Sequence, residues 1–302
     1  MTPRQYAYRV GGWHYLVRFL RDDEQAGGLL ASSEPFSEKP SSHEEPLFVL
    51  EVDDAFRPAE RGALLAQLSN NDAHFEVFRN SEGDYTFHIA DPHLRQCALL
   101  QTDCDFRRAH AALGRGFSAR KYGLTNALML LYAFASADKY TLLMHASVVR
   151  RQGVAYAFLG ESGTGKSTHT AHWLSYLEGC DLLNDDNPVV RIVDGQVMVY
   201  GSPWSGKTPC YRNVQAPLGA FVQLVQAPRN AIRRQQTIEA YASLAASCSL
   251  MPWEEKRYNG VCDTINRLLA LTPAYRLENL PDEEAVHLCH DTIATTHAAT
   301  HA

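Results

Sequence analysis

The spacing of apolar positions changes character along the chain and divides it into two parts. Residues 6–10 and 13–19 mix apolar and polar side chains on either side of Gly11-Gly12, the pattern of two strands joined by a tight turn. Residues 75–78 and 85–89 repeat that pattern around Asn80-Ser81-Glu82-Gly83-Asp84. Between the two hairpins, residues 26–46 are rich in Ser, Glu, Pro and Gly with few apolar side chains, so a long mobile loop is expected there. Residues 1–120 therefore read as a smaller β-rich N-terminal domain. No catalytic constellation is recognisable in it.

From residue 121 the texture is different. Residues 124–137 are apolar on nearly every side, as in a buried helix. Residues 140–149 and 154–159 are β-rich runs around Arg150-Arg151-Gln152-Gly153 and predict an antiparallel pair. The second run leads straight into a glycine-rich loop, and the loop into a helical pattern over 169–178. Residues 188–193 and 196–200 flank Asp194-Gly195, a two-residue hairpin signal. Residues 218–225 form a further strand candidate. Residues 237–250 place Ile238, Tyr241, Ala245 and Cys248 on one helical face, and residues 281–293 form a closing helix. The Ala/Thr/His-rich residues 295–302 are expected to be a disordered tail. The fold class that emerges is α/β within an α+β chain, with domains at 1–120 and 121–294.

Composition narrows the partners. With 45% hydrophobic and 21% charged residues, the 302-residue chain has material for real cores. Lys plus Arg number 28 against 34 Asp plus Glu, a net charge of −6. That balance argues against a nucleic-acid partner, which calls for a basic excess. Seven scattered cysteines with no Cys-x-x-Cys pair suit reduced thiols. Residues 1–20 have no continuous apolar stretch of the secretory type. The longest apolar run, interrupted by Thr125 and Asn126, is too short to span a bilayer. A cytoplasmic protein with no membrane partner is expected, and a homo-oligomer is compatible with the sequence.

The chemistry concentrates between residues 145 and 208. Gly160-Glu161-Ser162-Gly163-Thr164-Gly165-Lys166-Ser167 satisfies G-x-x-x-x-G-K-[ST], and Thr168 continues it. Glycines let consecutive N–H groups point into one concavity and hold phosphate oxygens. A lysine at this spacing reaches the β- and γ-phosphates of ATP, and the following hydroxyl ligates Mg²⁺, here Lys166 and Ser167. The apolar strand before the loop and the helix after it are the context this motif requires.

Gly201-Ser202-Pro203-Trp204-Ser205-Gly206-Lys207-Thr208 matches the same pattern. Pro209 follows at once and no helical period comes after it, so a second nucleotide loop is not expected. Only six lysines accompany 22 arginines, and two of the six sit in these two loops, which makes Lys207 a candidate active-site cation. Residues 182–187, Leu-Leu-Asn-Asp-Asp-Asn, read as a short strand ending in Asp185 and Asp186. In phosphoryl transfer one acid holds Mg²⁺ and another accepts the proton of the attacking hydroxyl. Neighbours on a strand point to opposite faces, so both can serve only if the backbone bends. A lone strand histidine is most often a hydrogen-bonded core group. With Val149 opposite Val154, however, His145 falls opposite Phe158, level with the loop. His169 with His172, and His287 with His290, share helix faces but have no third metal ligand at suitable spacing.

The order of a His-bearing strand, G-x-S-G-x-G-K-S and a strand ending Asp-Asp resembles the catalytic domain of HPr kinase/phosphorylase over about residues 125–225. That resemblance implies a P-loop mixed sheet with flanking helices, akin to phosphoenolpyruvate carboxykinase. It also implies ATP and Mg²⁺ as ligands and His145 and Lys166 as active-site residues. One of Asp185 and Asp186 would be the base, and Ser167 would bind the metal. The family's Glu-Ile-Arg-Gly-Leu-Gly signature is absent, and the Trp204–Thr208 loop stands in its place. The implied chemistry is thus transfer of the γ-phosphoryl group to a hydroxyl of a protein or small-molecule acceptor, without the phosphocarrier substrate. An ATP-binding regulatory module without transfer, and carboxykinase chemistry, are the alternatives.

Overall fold

The structure, a computed structural model, describes residues 4–40, 44–69, 73–206 and 208–300. It divides into two compact units, Met1–Ser136 and Ala137–Ala302.

The first unit is built on strands β1 (Arg4–Val10), β2 (Trp13–Phe19), β3 (Ser37–Glu38), β4 (Val49–Val52), β5 (Ala63–Ser69), β6 (His74–Arg79), β7 (Tyr85–Ala90), β8 (Gln96–Thr102) and β9 (Arg108–Leu113). They form one sheet in the order β3-β1-β2-β4-β9-β8-β7-β6-β5, and both hairpins expected from the alternation are present as β1–β2 and β6–β7. One face is polar: Arg18, Glu51, His110 and Gln101 lie side by side across β2, β4, β9 and β8. The other carries Tyr15, Phe87 and Phe106, whose rings meet Tyr132 and Phe134 of a long helix.

Residues 26–46 depart from the mobile loop expected of them. They hold a one-turn helix, α1 (Ala26–Leu29), a 3₁₀ turn (Ala31–Phe36) and β3. The few apolar residues of the segment do the anchoring: Leu29, Leu30 and Phe36 are buried, and Glu38 accepts a hydrogen bond from Arg9 at 2.8 Å. Residues 41–43 lie outside the described ones.

The apolar run 124–137 is indeed helical, but as α2 (Phe117–Ala135) it belongs to the first unit rather than the second. The boundary therefore falls at 136/137 instead of 120/121. Gly123 explains why: a Cβ there would sit 2.2 Å from the Cys97 carbonyl oxygen on β8, so the helix backbone lies directly on this sheet.

The second unit contains β10 (Thr141–Leu143), β11 (Ala146–Arg151), β12 (Val154–Leu159), α3 (Lys166–Tyr176), β13 (Cys180–Asp186), β14 (Val189–Val193), β15 (Gln196–Tyr200), β16 (Gln215–Gln226), β17 (Ala231–Arg234), α4 (Thr237–Ala245), α5 (Glu255–Leu271), β18 (Ala274–Asn279) and α6 (Glu283–Thr300). Its mixed sheet runs β10-β14-β15-β16-β12-β11-β13, and β18 joins β16 in parallel. Alternation along β12 sends Ala155, Ala157 and Leu159 into a core with α4 and α5. Tyr156 and Phe158 go to the opposite face, against Trp173 of α3 and Val286, Cys289 and Ile293 of α6. Helices on both faces of a sheet with parallel strands β12, β16 and β18 make the unit α/β in class.

The structure departs from the pattern at three places in this unit. Tyr241 and Ala245 of α4, and Cys248 just beyond it, pack against the core as expected, beside the buried Ala240 and Leu244, while Ile238 is 86% exposed and falls outside that face. The helix α5 was not evident from the pattern. The backbone of α6 continues to Thr300 where a disordered tail over 295–302 was expected, as an extension of a helix anchored by Val286, Cys289 and Ile293; residues 301–302 lie outside the described ones. No helix among the described residues is long and apolar enough to cross a membrane.

Candidate active site at the glycine-rich loop

The loop Gly160–Ser167 leaves the C-terminal end of β12 and enters α3. Gly160, Gly163 and Gly165 have φ of +147°, +87° and +95°, values that L side chains rarely adopt. Gly160 is also sterically required: a Cβ would lie 2.6 Å from Thr164 Oγ1 and 3.3 Å from the Leu224 carbonyl oxygen. Thr164 closes the turn by donating to the Glu161 carbonyl at 2.9 Å, and Gln226 at the end of β16 donates to the Gly163 carbonyl at 3.2 Å. Glu161, Ser162, Ser167 and Thr168 are exposed. The first intrahelical bond of α3 runs from the His169 N–H to the Gly165 carbonyl at 2.8 Å. The N–H groups of Lys166, Ser167 and Thr168 therefore have no partner within the helix. This is a cup of amides at the positive end of a helix dipole.

Lys166 is buried beneath the loop. Its ammonium donates to the Gly160 carbonyl at 2.8 Å and the Glu161 carbonyl at 3.1 Å, and it lies 2.9 Å from His145 Nε2. Burial pushes its pKa below the ordinary lysine value, while Asp186 and Asp185 pull in the opposite direction. An ammonium cannot accept, so His145 Nε2 is the acceptor and Nδ1 carries the proton. That Nδ1 is 2.9 Å from Asp186 Oδ1. Lys166, His145 and Asp186 thus form a continuous chain in which each histidine nitrogen has one defined role.

His145 occupies this place at a break, not within a strand. Thr141–Leu143 pair with β14, whereas Ala146–Arg151 pair with β12 and β13, and residue 145 is the crossing point. Its N–H is tied to the Ser247 carbonyl at 2.7 Å. The expected register was two residues out: Ser147, not His145, lies opposite Phe158. The connection is the two-residue turn Gln152-Gly153, with φ of +50° and +83°, so Arg150 and Arg151 remain in the strand. His145 stays level with the loop nonetheless.

The acidic pair closes the arrangement. Asp185 is buried (4% exposed), and Ser167 Oγ donates to its carboxylate at 3.1 Å. Asp186 has φ of +123°, an uncommon conformation for a residue with a Cβ, and this is the bend that adjacent strand positions required. It brings the Asp186 carboxylate to His145 Nδ1 on one oxygen and to Asn187 Nδ2 on the other at 2.7 Å. Both acids consequently serve the same loop, one through Ser167 and one through His145.

The hydroxyl–carboxylate pair of Ser167 and Asp185 suits Mg²⁺, a hard cation that takes one or two protein oxygens alongside phosphate and water. Among the described residues no group of three or more His, Cys, Asp and Glu side chains is assembled for a metal ion. His169 is in the core, accepting from Trp173 Nε1 at 3.0 Å, and burial lowers its pKa to about 4. His290 contacts Arg151.

The second motif, Gly201–Thr208, is followed by no helix: the segment to residue 214 is irregular and leads into β16. Its Gly206 N–H donates to the Asp185 carbonyl at 2.7 Å, so the motif abuts the acidic pair. Lys207 itself lies outside the described residues. Sequence reasoning missed the two amides that flank the acids, Asn184 and Asn187; their symmetrical placement in Asn-Asp-Asp-Asn was the available signal. No family model matches the chain, and no curated protein matches it.

Proposed function

We propose that the chain is an ATP-dependent phosphotransferase of the HPr kinase-like type, transferring the γ-phosphoryl group to a hydroxyl of a protein or small-molecule acceptor. The observation that carries this reading is the convergence of Lys166–His145–Asp186 and Ser167–Asp185 on one glycine-rich loop. An amide cup alone would bind a polyphosphate; two carboxylates with separate partners beside it supply what transfer needs in addition.

The two acids divide the work by environment. Asp185, buried and in contact with Ser167, is the acid that would hold Mg²⁺ together with that hydroxyl. The metal would supply charge neutralisation between the β- and γ-phosphates. Asp186 is partly exposed and oriented by His145 and Asn187, each of which occupies one lone pair of a different oxygen. It is the base. The acceptor oxygen forms its bond to the γ-phosphorus, the bond from that phosphorus to the β-bridging oxygen breaks, the acceptor proton passes to Asp186, and ADP leaves. Lys166 draws back from the loop carbonyls to the phosphate oxygens, a shift of donors rather than a new charge in the site. His145 turns its Nε2 acceptor toward the ammonium.

Incubation of the full chain with γ-labelled ATP, Mg²⁺ and fractionated cell extract tests the reading. A labelled product in the protein or small-molecule fraction that disappears with Lys166→Ala is expected. ATP binding without any Lys166-dependent product, and with Asp186→Asn indifferent to function, would favour the regulatory module instead.

A further inference from the structure

The Gly201–Thr208 motif copies a nucleotide loop in letters but is built as something else. Gly201 is required by a crossing backbone: a Cβ there would lie 1.9 Å from the Arg212 carbonyl oxygen. Ser202 is fully buried, and its hydroxyl is 2.6 Å from the Asn187 carbonyl oxygen and accepts from the Trp204 N–H at 3.2 Å. Ser205 forms an isolated antiparallel bridge with Asp186, and its hydroxyl is 2.9 Å from the Asp185 carbonyl oxygen. Gly206 completes the contact, since a Cβ on it would come within 3.1 Å of Asp186 Cβ. Ser205 and Gly206 thus lean on the two residues that carry the carboxylates, and Ser202 on the asparagine that follows them.

A side chain of the acidic turn itself reaches back to the second segment. Asn184 is fully buried immediately before the acidic pair. Its Oδ1 accepts from the Asn187 N–H at 3.0 Å, which closes the turn around Asp185 and Asp186. Its Nδ2 donates to Ser202 Oγ at 3.2 Å and to the Trp204 carbonyl at 3.3 Å. The amide oxygen therefore closes the acidic turn while the amide nitrogen holds that turn against residues 202–204. The positive φ of Asp186 is strained for a residue with a Cβ and persists only where its surroundings over-determine it. Asn184, Ser205 and Gly206 are those surroundings.

We infer that residues 201–206 are a brace for Asp186 rather than a phosphate loop, and that Asn184 is the positioning residue that locks the brace to the acidic turn. The inference rests on the proposed phosphotransferase reading only for its kinetic consequence; the geometric consequence stands apart from it. With the brace intact, Asp186 reaches His145 Nδ1 and holds the imidazole with Nε2 toward Lys166. With it loosened, that hydrogen bond lengthens while the amide cup and Ser167 are untouched.

The test reads the His145 ring by nitrogen–proton NMR on the full-length, nucleotide-free chain, the signal being assigned by its loss in His145→Gln. Asn184→Asp removes the donor to Ser202 and Trp204, and Gly206→Ala presses a methyl on Asp186 from an exposed position. Both are expected to shift or abolish the His145 Nδ1–H signal, and Gly206→Ala, which adds no charge, is expected to leave calorimetric affinity for metal-free ATP unchanged. Transfer, once an acceptor is in hand, is expected to fall about 100-fold in kcat with KM for ATP unaltered, as for a group misplaced by about 1 Å. If Asn184→Asp fails to fold, Gly206→Ala decides alone. An unchanged His145 signal in the folded variant overturns the brace. A shifted signal in a chain that transfers phosphate to no acceptor overturns the phosphotransferase reading and leaves the brace standing.

Discussion

At the scale of single residues, the two aspartates make the sharpest case that neighbours in sequence need not share a task. Asp185 is sequestered with Ser167, and Asp186 is presented by a bent backbone to His145. Replacing each by asparagine keeps size and polarity but removes the charge. Asp185→Asn is expected to weaken Mg²⁺-dependent ATP binding, seen by calorimetry as loss of the difference between ATP with and without the metal. Asp186→Asn is expected to leave that binding intact and lower kcat by about 10²–10⁴-fold, the usual worth of a general base. Identical behaviour of the two variants would refute the division of roles. The carboxylates and the loop were legible in the sequence because their chemistry is tied to residue type and short spacing. Their assignment was not legible, because it depends on one φ angle and on which side chain lies across from each acid.

At the scale of elements, the buried histidine of α3 gives the protein a predictable response to acid. His169 accepts from Trp173, is 2% exposed, and has its pKa lowered from 6.5 to about 4 by burial. In the unfolded chain it takes up a proton near pH 6.5, and in the folded chain only near pH 4. The unfolded state therefore binds more protons in that window, and stability falls as pH drops from 6.5 toward 4, by about 3 kcal/mol over the whole shift. Urea unfolding across this range is expected to show the slope, and His169→Gln, which retains an acceptor for Trp173, is expected to remove it. On α2, Gly123 reverses the ordinary rule that Gly→Ala stabilises a helix interior. With the Cys97 carbonyl oxygen 2.2 Å from the position of a Cβ, Gly123→Ala is expected to destabilise the first unit by about 1–3 kcal/mol, measurable as a lower Tm. Hairpins such as β14–β15 were readable because Asp194-Gly195 fixes their turn locally, with φ of +50° and +79°. The break at Met144-His145 was not readable: the run contains no Gly, Pro, Asn or Asp to mark a turn, and only the partners across the sheet decide that it serves two different ladders.

At the scale of the whole molecule, the place where one unit ends and the next begins decides which fragments fold. Every residue of the candidate site lies after Ala137, and Ala137 is itself fully buried in the core of the second unit. Asp138, next to it, accepts a hydrogen bond from the buried Arg257 at 2.9 Å. The sequence pattern placed the boundary at 120/121 because α2 is apolar enough to look like the opening helix of the second domain. Its apolar residues are spent instead on β7, β8 and β9, as the stacking of Phe134 on Phe87 and the seating of Gly123 on Cys97 require. A fragment of residues 137–302 is therefore expected to fold and to bind ATP·Mg²⁺ with the affinity of the full chain. A fragment of residues 121–302 carries α2 without its sheet, exposing Leu124, Leu128, Leu131 and Phe134, and is expected to associate in size-exclusion chromatography. A fragment of residues 140–302 removes Asp138 from Arg257, which keeps Glu254 at 4.0 Å, and its stability is expected to fall by about 1–3 kcal/mol, the cost of one lost charged hydrogen bond. Should the 121–302 fragment prove the well-behaved monomer and the 137–302 fragment fail to fold, α2 would belong to the second unit after all, and the site would need it.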